Sequence, residues 1–197
     1  MPIADPDRFA RAIAAIDAAN ADDPNTLEVR GVVRPKELAH AELMTEWVHR
    51  LNPDPSEAQM LAARAHHLRR WTSPRASYPE GRSGYLRWRT ALKAQHAQEV
   101  ADILLGAGYD DATVESVQRI VKKVGLGRDA DVQVHEDALC LVFLETQLAS
   151  TVAQLGDEHM LDVIQKTAAK MSPAGIAEVA AIPMRDHDRD LIARALS

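Results

Sequence analysis

Apolar residues recur along most of this chain at the three- and four-residue spacing of amphipathic helices. Phe9, Ile13 and Ile16 mark a first helix, with Asp5 or Asp7 near its start. Residues 21–34 are rich in turn formers and read as a loop. Pro35 then opens a second helix that runs to Leu51, a favoured use of proline at the first helical position. Asn52-Pro53-Asp54-Pro55 breaks it, and Ser56 with Gln59 forms a capping box for a third helix reaching about Arg70.

Pro74, Pro79, Gly81 and Gly84 make residues 71–84 an ordered surface loop. A fourth helix spans Tyr85 to Leu105 and ends at Gly106 and Gly108. Asp111 caps a fifth, with Val114, Val117, Ile120, Val121 and Val124 on its buried side. The sixth, over about residues 131–155, is the most apolar and is expected at the centre. Shorter helices follow over 157–171, from Ser172-Pro173, and over about 186–196. No β run, repeat or domain boundary stands out. The pattern predicts one all-α bundle over residues 1–197, with the loop 71–84 inserted between helices.

Composition places that bundle among ordinary globular proteins, at 46% apolar and 26% charged residues. No apolar stretch approaches the ~18 residues needed to span a membrane. Residues 1–15 lack the basic start and apolar run of a signal peptide. The lone cysteine, Cys140, lies among apolar residues as a small core side chain, which excludes disulfide stapling and cysteine-based zinc ribbons. The expected location is the cytoplasm.

Charge changes the picture. The net charge is −6, yet Arg64 to His96 holds eight basic residues against a single acid, Glu80. Four of the eight Phe, Tyr and Trp residues sit there too: Trp71, Tyr78, Tyr85 and Trp88. An acidic protein is a poor generic nucleic-acid binder, since phosphate-tracking domains carry a basic surplus. A compact basic and aromatic patch suits a nucleotide, a small phosphoester or one end of an RNA better. The expected ligand contacts are Arg64, Arg70, Arg75, Lys93, Trp71, Tyr78 and Tyr85. One or two of the arginines are expected to pair with acids elsewhere in the fold.

Histidines add a second chemistry. His40 falls in the second helix, His66 and His67 at the end of the third, and His96 in the fourth. Glu136 and Asp137 open the apolar sixth helix. Side chains from separate helices of a bundle can converge on one metal, and imidazole with carboxylate suits Mn, Fe, Co, Ni or Zn. The bland alternative is a set of hydrogen-bonded structural histidines and acids placed in a helix's first turn.

Two resemblances sharpen this. ELAHAELMTEWVHRL, LAARAHHLRRW, KAQHAQEVADILLGAGY and EDALCLVFLE follow the order of segments in the HD domain, an all-α metal-dependent phosphohydrolase fold. That resemblance implies metal ligation by His66, His67, His96 and Asp137, with His40 at the first histidine position. His67 stands where the HD pair has an aspartate. Imidazole cannot bridge two ions as a carboxylate can, which implies at most one tightly held metal. DAANADDP, PKELAHAELMTEW, AARAHHLRRW, SPRASYPEGRSGYLRWR, HAQEVADILLGAGY, VHEDALCLVFLE and KTAAKMS also resemble an uncharacterised family, domain of unknown function 4202. Its pattern ranks His67, His96, Glu136 and Asp137 above His66 and His40.

The resulting expectation is an HD-like helical protein that binds a phosphorylated ligand and hydrolyses it with one divalent metal. His67, Glu136 and Asp137 would act in catalysis; without metal, a histidine base with Glu136 as partner remains. The alternatives are an HD-type iron oxygenase and a non-catalytic nucleotide- or RNA-binding module.

Overall fold

A computed structural model describes residues 3–196 and divides the chain into two units, one up to Val124 and one from Gly125. The protein is all-α apart from one short hairpin.

In the first unit, α1 (Pro6–Ala21) starts where Asp5 accepts a hydrogen bond from the Arg8 amide at 3.0 Å. The expected loop that follows is in part a hairpin. β1 (Thr26–Val29) pairs antiparallel with β2 (Val32–Pro35), Val29 opposite Val32. Arg30 and Gly31 both have positive φ, at 51° and 81°, which is the turn conformation that matches strand twist. Each strand has four residues, too few for a period-two pattern to show in the sequence.

α2 (Lys36–Leu51) and α3 (Glu57–Arg64) lie where the breakers put them, and Ser56 caps Gln59 at 3.1 Å. α3 stops six residues short of the expected Arg70. His67 and Arg69 turn left-handed, at φ 62° and 48°, and short 3₁₀ turns follow at Arg70–Thr72 and Arg75–Ser77. α4 (Gly81–Gly106) begins before Tyr85, so Gly84 is helical. It packs so tightly on Pro79 that a Cβ there would lie 1.8 Å from the Pro79 carbonyl oxygen. α5 (Asp111–Val121) is capped by Asp110 rather than Asp111. Val124 lies past its end and is exposed, not buried. Ile16, Leu43, Met44, Leu61, Leu68, Leu104 and Ile120 form the fully buried centre of this unit.

In the second unit the expected long sixth helix is two. α6 (Ala130–Thr146) and α7 (Leu148–Leu155) meet at a 65° bend. α8 (Asp157–Ala168), α9 (Pro173–Glu178, capped by Ser172) and α10 (Asp186–Leu196) complete it around Leu141, Leu148, Met160, Ile182 and Leu191. Among the described residues no single helix is long and apolar enough to cross a membrane.

Candidate metal centre

The first turn of α2 is fixed from outside the helix. Asp23 Oδ2 accepts the Glu37 amide at 3.0 Å, and the Asn25 carbonyl accepts the Lys36 amide at 2.9 Å. Both bonds satisfy amides that a helix N-terminus leaves unpaired. Glu37 and His40, three residues apart, then share one face and are both buried. His67 arrives from the turn after α3. That turn contains no glycine, and Asn20 Oδ1 holds it by accepting the Arg69 amide at 3.1 Å. A non-glycine residue at positive φ costs roughly 1–3 kcal/mol, and such strain gathers at functional sites.

These elements bring four imidazoles together. Ring centroids lie 4.4 Å apart for His40 and His67, 4.2 Å for His66 and His67, 5.6 Å for His40 and His66, and 5.7 Å for His67 and His96. Glu37 Oε2 approaches His67 Nδ1 to 3.3 Å without forming a hydrogen bond. Both ring nitrogens of His40, and Nε2 of His96, are likewise buried without a hydrogen-bond partner. A buried polar atom left in this state costs about 1–3 kcal/mol, so the cluster calls for a physical cause.

A cation would supply one. Ligand atoms of Glu37, His40 and His67 all lie within 4.8 Å of one another, and the three side chains can hold a metal ion. With metal–ligand bonds of about 2.1 Å, two ligand atoms on one ion lie no more than about 4.2 Å apart, so the set would draw in to close on an ion. Protonation favours it as well. Burial, aided by Arg70, holds His40 and His96 near pKa 3. Burial and the neighbouring His66 and His40 hold His67 well below its ordinary value. All three are therefore neutral at physiological pH, the form that ligates metals. Burial pushes Glu37 the other way, up to about 7. Arg70 faces the cluster: its Nη1 lies 3.2 Å from His67 Nε2, and its guanidinium covers the Trp88 ring at 4.8 Å. A guanidinium can only donate, so His67 Nε2 accepts and Nδ1 carries the proton.

Beside the cluster opens a cleft of about 450 Å³, lined by Lys36, Glu37, Arg70, Trp71, Arg75 and Trp88 among others. Three cations and two indoles thus border the carboxylate.

Of the residues singled out in the sequence, His67 and His96 converge, together with the lower-ranked His66 and His40. Arg70, Arg75 and Trp71 line the cleft. Arg64 lies outside the cleft lining and is paired with acids: Asp17 grips it through two bonds, the second at 2.7 Å, and Glu42 lies 3.6 Å away. Tyr78 turns its carbonyl to Arg75 at 3.0 Å, Tyr85 is exposed beneath Arg89, and Lys93 is exposed. Glu136 and Asp137 belong to the second unit. There Asp137 accepts hydrogen bonds from the Ser172 amide at 2.9 Å, its hydroxyl at 2.6 Å and Gln133 at 3.0 Å, which anchors the start of α9. The carboxylate of the group that can hold a metal is Glu37, which was not among the residues expected from the sequence. Its signal was Glu37-x-x-His40, the spacing by which bundle metal sites present two ligands from one helix.

An all-α chain with this histidine cluster matches the model of the family described as "Domain of unknown function (DUF4202)" over residues 10–192. The chain belongs to that family. Comparison with curated proteins and with solved structures returned no match.

Proposed function

We propose that Glu37, His40 and His67 bind one divalent transition metal, and that the protein hydrolyses a phosphorylated ligand held in the adjacent cleft. One observation carries this: buried, unpartnered polar atoms on Glu37, His40 and His96 meet where a cleft lined by Lys36, Arg70 and Arg75 opens. Two imidazoles and one carboxylate match the donor set of hydrolytic zinc sites, which keep a further position for water. An ion there supplies a Lewis acid for a phosphoryl oxygen and lowers the pKa of a bound water.

The chain's own residues do the rest. Lys36 and Arg75 hold phosphate oxygens, with arginine able to bind two at once. Trp71 offers a face to an aromatic portion of the ligand, which favours nucleotides over aliphatic phosphoesters. His96, neutral and with a free Nε2, accepts a hydrogen bond from the attacking water. A histidine doublet and an accessory histidine meeting near His40, at the first histidine position, also support the HD-like reading.

The test is metal analysis of untagged protein, followed by a phosphoester and nucleotide screen with wild type and Glu37→Gln. Metal-dependent release of phosphate that the variant loses supports the proposal. Metal-free protein that binds RNA or nucleotides with undiminished affinity after His40→Ala supports a binding module instead. The same donor set also occurs in mononuclear iron oxygenases. That favours a second reading, iron-dependent oxidation, which oxygen uptake by iron-loaded protein distinguishes.

A further inference from the structure

Arg70 is held by the metal-ligating side chains themselves. Its Nη1 donates to the His67 Nε2 lone pair at 3.2 Å, and Glu37 supplies the opposing charge. It also covers the Trp88 ring at 4.8 Å and lines the cleft, with Arg89 and Tyr85 near enough to act on its charge. A metal on His67 is incompatible with that arrangement. An ion on Nε2 takes the lone pair that Arg70 uses. An ion on Nδ1 displaces the ring proton to Nε2, and two donors then face each other. Coordination of Glu37 also cancels the negative charge that attracts the guanidinium. Whichever nitrogen ligates, Arg70 is released from the cluster, and the indole and the cleft remain to receive it.

We propose that Arg70 couples the two halves of the site: metal binding transfers its guanidinium from His67 and Glu37 to an anionic group in the cleft, so metal and phosphate ester bind cooperatively. This rests on metal ligation by Glu37, His40 and His67. The coupling is reciprocal, because a ligand that captures Arg70 also frees His67 for the metal. In the absence of metal, Arg70 caps the imidazole and is withheld from anions. The device therefore selects against phosphate binding until the metal is in place.

A phosphate oxygen bound directly to the ion would also give cooperativity, so the experiment removes Arg70. Zinc affinity is measured by competition with a chromophoric chelator, and phenyl phosphate binding by calorimetry with and without zinc. Wild type and Arg70→Met are compared, methionine keeping an apolar stem against Trp88. In wild type, zinc should tighten phenyl phosphate binding by about fivefold or more. In Arg70→Met, zinc should bind roughly tenfold tighter, since a charge-assisted hydrogen bond no longer competes for the lone pair. Cooperativity should shrink in the variant.

Unchanged or weaker zinc binding by Arg70→Met overturns the proposal, as does cooperativity that survives intact. Zinc binding by wild type with either result leaves the metal centre standing and removes only the coupling. No zinc binding by wild type overturns both. Should the variant not fold, guanidinium N–H signals of Arg70 in wild type replace it: they should shift and lose protection on zinc saturation. Signals that stay unchanged refute the transfer.

Discussion

Nδ1 of His67 lies 3.3 Å from Oε2 of Glu37, although one comes from the first turn of α2 and the other from a left-handed turn beyond α3. Neither side chain is at ease there. Burial raises the carboxyl to about 7 and depresses the imidazole. A cation between them would favour the ionised carboxylate that burial disfavours and the neutral imidazole that burial already favours, and the site's expected behaviour toward protons and metals follows from this pair.

Metal affinity should depend on pH through Glu37 rather than through the histidines. With a pKa of about 7, Glu37 must release a proton to ligate, whereas His40 and His96 stay neutral until about 3. Affinity should level off above pH 7 and fall by about tenfold per pH unit below it. Glu37→Gln should bind metal more weakly and with a much flatter profile between pH 5 and 7. Chelator competition across that range checks it. An unchanged slope in the variant would assign the proton to a histidine.

Metal-free protein should lose thermal stability as pH falls below about 6.5. His40, His67 and His96 have folded pKa values below their unfolded ones, so the unfolded state binds more protons there. Glu37, raised from 4.5 to about 7, acts in the opposite sense between those values, one group against three. Metal should raise the melting temperature at pH 7, because it binds the folded state alone. A melting temperature that rises steadily from pH 6.5 to pH 5 in metal-free protein would contradict this balance.

Two arginines of the basic run should separate cleanly. Arg64→Ala breaks a largely buried pair with Asp17 and should cost about 1–3 kcal/mol in urea unfolding, with phosphate-ligand binding unchanged. Arg75→Gln should do the reverse, weakening binding with a stability change within about 0.5 kcal/mol. An Arg64 variant of normal stability and impaired binding would restore the first arginine to the anion site.

The sequence showed three of the caps, placed a fourth one residue late at Asp111 instead of Asp110, and missed the carboxylate, for a physical reason. Ser56, Ser172 and Asp5 each cap an amide three residues on, so local chemistry identifies them. The end of α3 is set by Asn20, forty-nine residues from the amide it holds. No glycine or proline marks that turn, so the helical pattern in the sequence runs on past the true end at Arg64. Glu37 looks like an ordinary acid in a helix's first turn; only the arrival of His67 makes it a candidate ligand. His67 and His96 were legible as chemistry, and the cleft behind them as an excess of arginine and tryptophan.

Asp137 should prove structural. Gly175→Ala places a Cβ 2.7 Å from the Asp137 carboxyl carbon and should destabilise the protein by about 1–3 kcal/mol. Asp137→Ala should also lower stability, since the Ser172 amide and hydroxyl lose their acceptor. Neither should change metal stoichiometry measured at a temperature where the variant is folded. Loss of metal from folded Asp137→Ala would return this aspartate to the ligand set.

The most direct measurement is zinc stoichiometry by equilibrium dialysis and plasma mass spectrometry on wild type, His40→Ala and His67→Asp. Wild type should saturate at one ion per chain, because His67 offers one lone pair where a carboxylate could bridge two ions. His40→Ala should lose that ion while keeping its helical circular dichroism, and His67→Asp should retain at least one. Wild type that binds no zinc, or a His40→Ala variant that binds it as tightly as wild type, would contradict a metal centre at Glu37, His40 and His67.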